Sequence, residues 1–251
     1  MSRAPIKTIT VDFWGTILLD GPGSDERYRP RRVSDFATIL TAAGHAVQKR
    51  ALDRAYQESA SYLSGIWSLG RDVPVEAHTR AILTGLDADL AERLPADVMA
   101  RLVEAYSRPA LMVPPTVDSG ALAALETLCA RGYTLAVVSN TMRTPGVVLR
   151  QRLDRYRLLG CFKHTTFSDD VGIRKPDPEI FTMTLRAVGG EPASALHVGD
   201  DPILDVQGAR AAGMRTIQVT AASLKALGAQ APDAVVRQLS ELPDAVAALD
   251  A

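Results

Sequence analysis

The stretch IKTITVDFWGTIL, residues 6–18, decides how this chain reads. Residues 6–13 mix apolar and β-branched side chains, which suits a strand, and Gly15 and Thr16 then break the run as a turn. An acid, Asp12, stands at the end of that strand. Two further runs share the design: YTLAVVSN (133–140) ends on Ser139 and Asn140, and ALHVGD (195–200) ends on Asp200, with Asp201 next. TTFSD (165–169) and TIQVT (216–220) are shorter strands. Helical segments fall between them. One is capped by Asp118 or Ser119 and ends at Gly132, one starts near residue 145, one runs from Pro178 to Val188, and one reaches Gly213. Such alternation implies right-handed parallel crossovers and a doubly wound α/β sheet.

A different pattern interrupts this order. From about residue 20 to 112 the chain reads as helix, with no strand. Val33, Phe36, Ile39 and Leu40 recur at helical spacing up to Gly44, and Leu52, Tyr56, Leu63, Ile66 and Trp67 continue in a second helix. Two more, at 75–86 and 95–107, follow Pro74 and Pro95. The block is an insertion, so residues 1–18 and 113–251 form a Rossmann-like core domain and 19–112 an all-helical cap domain. Pro114 and Pro115 mark the return to the core.

With 251 residues, 47% apolar and 23% charged, the chain has an average globular composition and can bury a sizeable core. A net charge of −1 gives no field that favours nucleic acid or an anionic membrane. No run approaches the roughly 18 apolar residues of a membrane span. The residues before Ile6 lack the apolar segment of a signal peptide. Cys129 and Cys161 show no metal spacing, which fits a reduced, cytoplasmic chain with structural thiols. Arg27, Arg29, Arg31 and Arg32 read as a solvated basic loop. Nothing in the sequence fixes the oligomeric state.

Ligands of open α/β sheets bind beyond the carboxyl ends of the strands. Three polar clusters fall there: Asp12, then Ser139 with Asn140, then Asp200 with Asp201. A fourth, Arg174-Lys175-Pro176-Asp177, precedes a helix. Each alone has an ordinary reading as turn, cap or surface charge, but together on one rim they suit phosphoryl transfer to a small-molecule substrate. The transition state spreads negative charge over three oxygens, and an Asp carboxylate can attack phosphorus to form an aspartyl-phosphate. Two anions then meet, so cations are required. Mg²⁺ would take oxygens from Asp12, Asp200 and the Trp14 carbonyl, with Lys175 as a second positive charge. Phe13, Trp14, Ser139, Asn140 and Lys175 form the substrate-binding set, through the Ser139 hydroxyl and loop N–H groups.

These residues resemble the haloacid dehalogenase-like superfamily of the helical-cap (C1) type. Its motifs occur in order as TVDFWGTIL, VVSNT, RKPDP and GDDPILD, followed by GARAAGM (208–214), and the resemblance spans about residues 6–220. It implies an α/β core with a helical cap between the first two motifs. It also implies Asp12 as nucleophile, Ser139 on the transferred group, Lys175 on its charge and Asp200 as Mg²⁺ ligand. Asp205 would support the metal, with Asp201 as a neighbour.

The chain departs from the family's phosphatases at one position. They place a second Asp two residues after the nucleophile, to protonate the leaving oxygen and then activate water; here stands Trp14. An indole N–H is a donor only, and general acid–base catalysis is commonly worth about 10²–10⁴-fold. Three readings follow. The favoured one is a Mg²⁺-dependent phosphohydrolase of small phosphorylated metabolites. Its acid comes from the cap (Asp20, Tyr28, His45 and His78 are candidates), or its leaving group needs no proton, as in an acyl phosphate. The second is a metal-free 2-haloacid dehalogenase, since those relatives carry an aromatic residue here; against it, GDDPILD keeps the acids of metal-dependent members. The third is a catalytically weak binding or regulatory relative, which the intact nucleophile, lysine and acids oppose. Trp67 and Arg71, in the cap, read as helix packing and a solvated charge.

Overall fold

Six parallel strands place the site. The computed structural model describes residues 4–20, 26–220 and 230–250. The strands are β1 (Thr8–Val11), β2 (Thr134–Ser139), β3 (His164–Phe167), β4 (Ala195–Gly199), β5 (Arg215–Val219) and β6 (Ala234–Val236), in the order β3-β2-β1-β4-β5-β6. The chain steps from β1 to one side through β2 and β3, then crosses to β4 on the other. β1 is therefore the switch point of the sheet, where a crevice opens at the carboxyl ends. Val11 pairs with Val137 on one flank and Val198 on the other, so Asp12, Ser139 and Asp200 leave neighbouring strands at similar height.

After β1 come α1 (Arg29–Ala42), α2 (Lys49–Ser68), α3 (Val75–Thr84), α4 (Leu90–Arg93), α5 (Ala96–Ser107) and α6 (Pro109–Met112). The apolar faces of α1 to α5 close on each other around Phe36, Leu40, Leu52, Ile82, Leu102 and Tyr106. This core is distinct from the one around the sheet, which contains Ile9, Val11, Phe13, Val137, Val198 and Ile217. Each element buries one stripe against its own layer, which is what sustains two cores in one chain. The sheet is flanked by α7 (Ala121–Ala130), α8 (Gly146–Arg155), α9 (Ser168–Val171), α10 (Pro178–Val188), α11 (Gly208–Ala211) and α12 (Leu242–Asp250). No helix among the described residues is long and apolar enough to cross a membrane.

Several expectations change. β6 is three residues long and was not foreseen. The run 165–169 divides into the end of β3 and the start of α9. Asp118 does not cap α7, which starts after Gly120; its Oδ1 instead accepts from Gly120 N at 2.7 Å in the preceding turn. The helix expected to reach Gly213 is a wide π-helical turn over Pro202–Gln207 followed by α11. Residues 21–25, inside the stretch read as helical, lie outside the described residues.

The basic run is not a solvated loop. Arg29, Arg31 and Arg32 lie on α1, and Arg32 is fully buried. Its Nε donates to the Tyr106 carbonyl at 2.7 Å, Nη1 to the Tyr56 hydroxyl at 2.8 Å and Nη2 to the Arg143 carbonyl at 2.9 Å, and the guanidinium stacks 4.4 Å from the Tyr106 ring centroid. A planar, weakly hydrated cation tolerates burial when its fork is filled and its face covered. Arg32 thereby ties the helical layer to the loop after β2.

Candidate active site

The turn that ends β1 fixes the geometry. Gly15 has φ +80°, and a Cβ there would lie 2.6 Å from Asp200 Cγ. Only glycine accepts both the left-handed backbone and that approach. Gly15 N to Leu18 O (2.7 Å) and Leu18 N to Phe13 O (2.9 Å) close the turn.

Lys175 Nζ lies 2.5 Å from both Asp12 Oδ1 and Asp205 Oδ1, with all three side chains buried. Its loop is held by Asn140, whose Oδ1 accepts from Lys175 N at 2.8 Å while its Nδ2 donates to Lys175 O at 3.0 Å. Both ends of the Asn140 amide are thus engaged by the backbone of Lys175. Asp205, on the wide turn, accepts from His197 Nε2 at 3.1 Å and from Asp201 N at 2.9 Å. Because an ionised Asp205 carboxylate can only accept, Nε2 is the donor to it, and His197 Nδ1 then accepts from the Thr10 hydroxyl at 2.8 Å.

Burial pushes the Asp12 carboxyl above its ordinary range, against the pull of Lys175. Burial acts the same way on Asp205, but Lys175 and the His197 hydrogen bond outweigh it and hold that group below the usual carboxylate range. Burial opposes the Lys175 charge, yet Asp12 and Asp205 prevail and raise it. Asp12, Asp200 and Asp205 offer oxygens that all lie within 4.8 Å of one another, and all three are buried. Lys175 pairs with two of them, Asp12 and Asp205. Arg174, also at this wall, is paired with Asp72. Such a donor set fits a hard divalent cation.

A cavity of about 70 Å³ opens over these groups. That is room for a few waters or one compact anion. Every predicted site residue lines it except Phe13, together with Met142, Arg174 and Leu204. The Phe13 ring is fully buried, edge-on to Trp14 (centroids 5.5 Å) and Phe167 (6.0 Å), so only its backbone is left for a ligand. Asp201 Oδ1 accepts from Ile203 N (2.8 Å) and Leu204 N (2.9 Å), capping the wide turn. Ser139 Oγ and Trp14 Nε1 are buried without a hydrogen-bond partner among the described residues. None of Asp20, Tyr28, His45 and His78 lines the cavity. His78 sits in the helical layer against the Tyr106 hydroxyl, where burial pushes it down to about 4. Trp67 is more than packing, since its Nε1 donates to Asp72 Oδ1 at 3.0 Å.

The sequence reading missed Thr10, Asp72, Thr141, Ser168 and His197. His197 and Thr10 had a signal, as polar residues inside apolar strands, whereas Asp72 had none.

The family model for haloacid dehalogenase-like hydrolases matches residues 6–213, which contain every residue of this site. The phosphoserine phosphatase of Thermus thermophilus is 35% identical over 230 residues, covering 85% of this chain and 88% of the relative. The human haloacid dehalogenase-like hydrolase domain-containing protein 3 is 37% identical over 248 residues, covering 94% and 87%. Among solved structures, a 2-haloacid dehalogenase from Pseudomonas syringae pv. Tomato DC3000 aligns with a TM-score of 0.70 at 23% identity, covering 97% and 99%, and shares the fold. With fold, motifs and relatives in agreement, the chain belongs to the haloacid dehalogenase-like hydrolase family and is a hydrolase of the phosphatase-like kind.

Proposed function

We propose that this protein is a Mg²⁺-dependent phosphohydrolase of small phosphorylated metabolites, with Asp12 as nucleophile, residues 19–112 as its cap domain and residues 1–18 with 113–251 as its core. The observation that carries the reading is the buried group of Asp12, Asp200 and Asp205, whose oxygens lie within 4.8 Å of one another, with Lys175 paired to Asp12 and Asp205. Asp12, Asp200 and the Trp14 carbonyl would hold Mg²⁺. When bound, the ion supplies positive charge for the phosphoryl oxygens and lowers the repulsion between carboxylate and substrate. Ser139 Oγ donates to a phosphoryl oxygen, and Lys175 neutralises another. An Asp12 oxygen attacks phosphorus as the bond to the leaving oxygen breaks and its electron pair departs with that oxygen. Water then attacks the phosphorus of the aspartyl-phosphate as the bond to the Asp12 oxygen breaks, which frees phosphate and restores the carboxylate. The proton the water loses balances the one the departed oxygen takes up.

Trp14 sets the substrate preference. No carboxylate lining the cavity stands two residues after the nucleophile to protonate a leaving oxygen, so acyl and aryl phosphates are favoured over alkyl esters. The Thermus thermophilus relative makes phosphoserine the alkyl ester to include. The test is a panel of phosphate esters, acyl phosphates and 2-haloacids, with Mg²⁺ and with EDTA. Phosphate release should fall at least about 10²-fold in EDTA, since the ion contributes several kcal/mol of charge stabilisation. Halide release that is indifferent to EDTA would establish the dehalogenase instead, and no release of either product would leave a binding protein.

Trp14→Asp is expected to raise hydrolysis about tenfold or more, with the larger gain on alkyl esters, because it restores part of the roughly 10²–10⁴-fold acid–base contribution. The lost aromatic volume should cost about 3–5 kcal/mol of stability, so rates are compared well below the thermal midpoint. Unchanged rates would place the proton donor elsewhere.

A further inference from the structure

We infer that Asp72 is a positioning residue for this reaction: from the helical layer it clamps the loop that follows Ser139 and the loop that carries Lys175 into register. The inference rests on the phosphohydrolase reading for its kinetic consequence. Asp72 lies between α2 and α3 and does not line the cavity. Its side chain is fully buried. Oδ2 accepts from three core segments at once: the Arg174 guanidinium, the Ser168 hydroxyl and the Thr141 hydroxyl, the last at 3.2 Å. Thr141 is two residues beyond Ser139, and Arg174 directly precedes Lys175. Ser168, which begins α9 at the end of β3, also takes the Thr141 N–H on its Oγ at 2.8 Å. Arg174 Nη1 donates to the Thr141 carbonyl at 2.6 Å as well. One cap carboxylate is thus the shared acceptor of the loops on either side of the phosphoryl site.

The backbone reinforces the contact. Asp72 N donates to Gly172 O at 3.1 Å, and Arg174 N donates to Gly70 O at 3.0 Å, a short antiparallel bridge just ahead of Lys175. On the cap side, Trp67 Nε1 (3.0 Å) and Val73 N (2.9 Å) hold Oδ1, and the Arg174 guanidinium lies 4.5 Å from the Trp67 ring centroid. If the cap moves away, the buried Arg174 cation loses its carboxylate and two hydroxyls lose their acceptor. Leaving that arrangement is costly, because an unpaired buried charge is strongly disfavoured. A seated cap therefore reports to Lys175 and Ser139 through rigid polar contacts, and displacements near 1 Å at such groups can cost about 10²-fold in rate.

The experiment compares wild type with Asp72→Asn, which keeps the shape and removes the charge. With p-nitrophenyl phosphate and Mg²⁺, kcat should fall about 10–100-fold with KM within about threefold, and Asp72→Glu should recover part of the loss. In parallel, acrylamide quenching of Trp67, read in a Trp14→Phe background without substrate, should show Trp67 more accessible once Asp72 is neutralised. If Asp72→Asn does not fold, Thr141→Val removes one donor without unpairing a charge, and a smaller loss, about threefold, is expected with the same quenching change. A kcat within twofold of wild type, or a lower kcat with Trp67 as shielded as before, overturns the inference. A wild type that hydrolyses no phosphate ester sinks the phosphohydrolase reading instead, and the quenching arm still decides whether Asp72 seats the cap.

Discussion

Asp12→Asn is expected to fold and to lose turnover by about 10⁴-fold or more, because a carboxamide cannot attack phosphorus. The substitution is nearly isosteric, and its carbonyl can still accept from Lys175, whose Nζ lies 2.5 Å from Asp12 Oδ1. It also removes one of three clustered carboxylates, the one that burial pushes above its ordinary range. Stability is therefore expected to hold or rise by about 1 kcal/mol, a gain of about 2–4 °C in thermal midpoint for a chain of this size. Phosphate release with Mg²⁺ and thermal unfolding in EDTA check the two halves. Residual turnover within about 10²-fold of wild type would place the nucleophile elsewhere.

Lys175→Met should damage both activity and stability. The ammonium is the shared partner of Asp12 and Asp205 in a site where all three side chains are almost fully buried. A thioether of similar length leaves those carboxylates together with Asp200 and no lysine between them. Removing one partner of a buried pair costs about 3–5 kcal/mol, and loss of one charge donor at a phosphoryl site costs about 10²–10³-fold in kcat. The stability deficit has a sign in pH. In wild type, Asp205 is held below the usual carboxylate range, so its contribution is present at neutral pH and lost as pH falls through that low value. Without Lys175, the burial that opposes the Asp205 charge is met by the His197 contact without the ammonium, so its pKa rises from that low value. The deficit in EDTA should therefore shrink from pH 7 to pH 5. A constant deficit across that range would mean that packing, not charge, carries the loss.

Much of this was legible because the fold stores its chemistry at strand ends. Asp12, Ser139 and Asp200 each close an apolar run, and a parallel sheet leaves such residues on one rim whatever the sequence distance. The inserted helices were legible from their 3.6-residue period. What escaped depends on distant partners. Arg32 sits in an arginine-rich run, and only the fold supplies the Tyr56, Tyr106 and Arg143 groups that fill its donors. Asn140 reads as a ligand-facing amide, but its bonds run to Lys175, 35 residues away. Asp72 is a lone acid after a helix, and its partners come from three later segments of the chain. β6 is too short to show a period.

The turn at Gly15 has a further consequence for anyone who would alter the reaction. Residues 14 and 15 are neighbours that answer to different constraints. At 15, any added carbon meets the Asp200 carboxylate, so the position admits no exploration. At 14, the side chain fills the cavity wall with its indole nitrogen unengaged, and the carbonyl proposed to face the cation is common to every amino acid. A library at position 14 would thus sample leaving-group chemistries around one nucleophile, at a cost in packing, whereas the same library one residue later would break the turn itself.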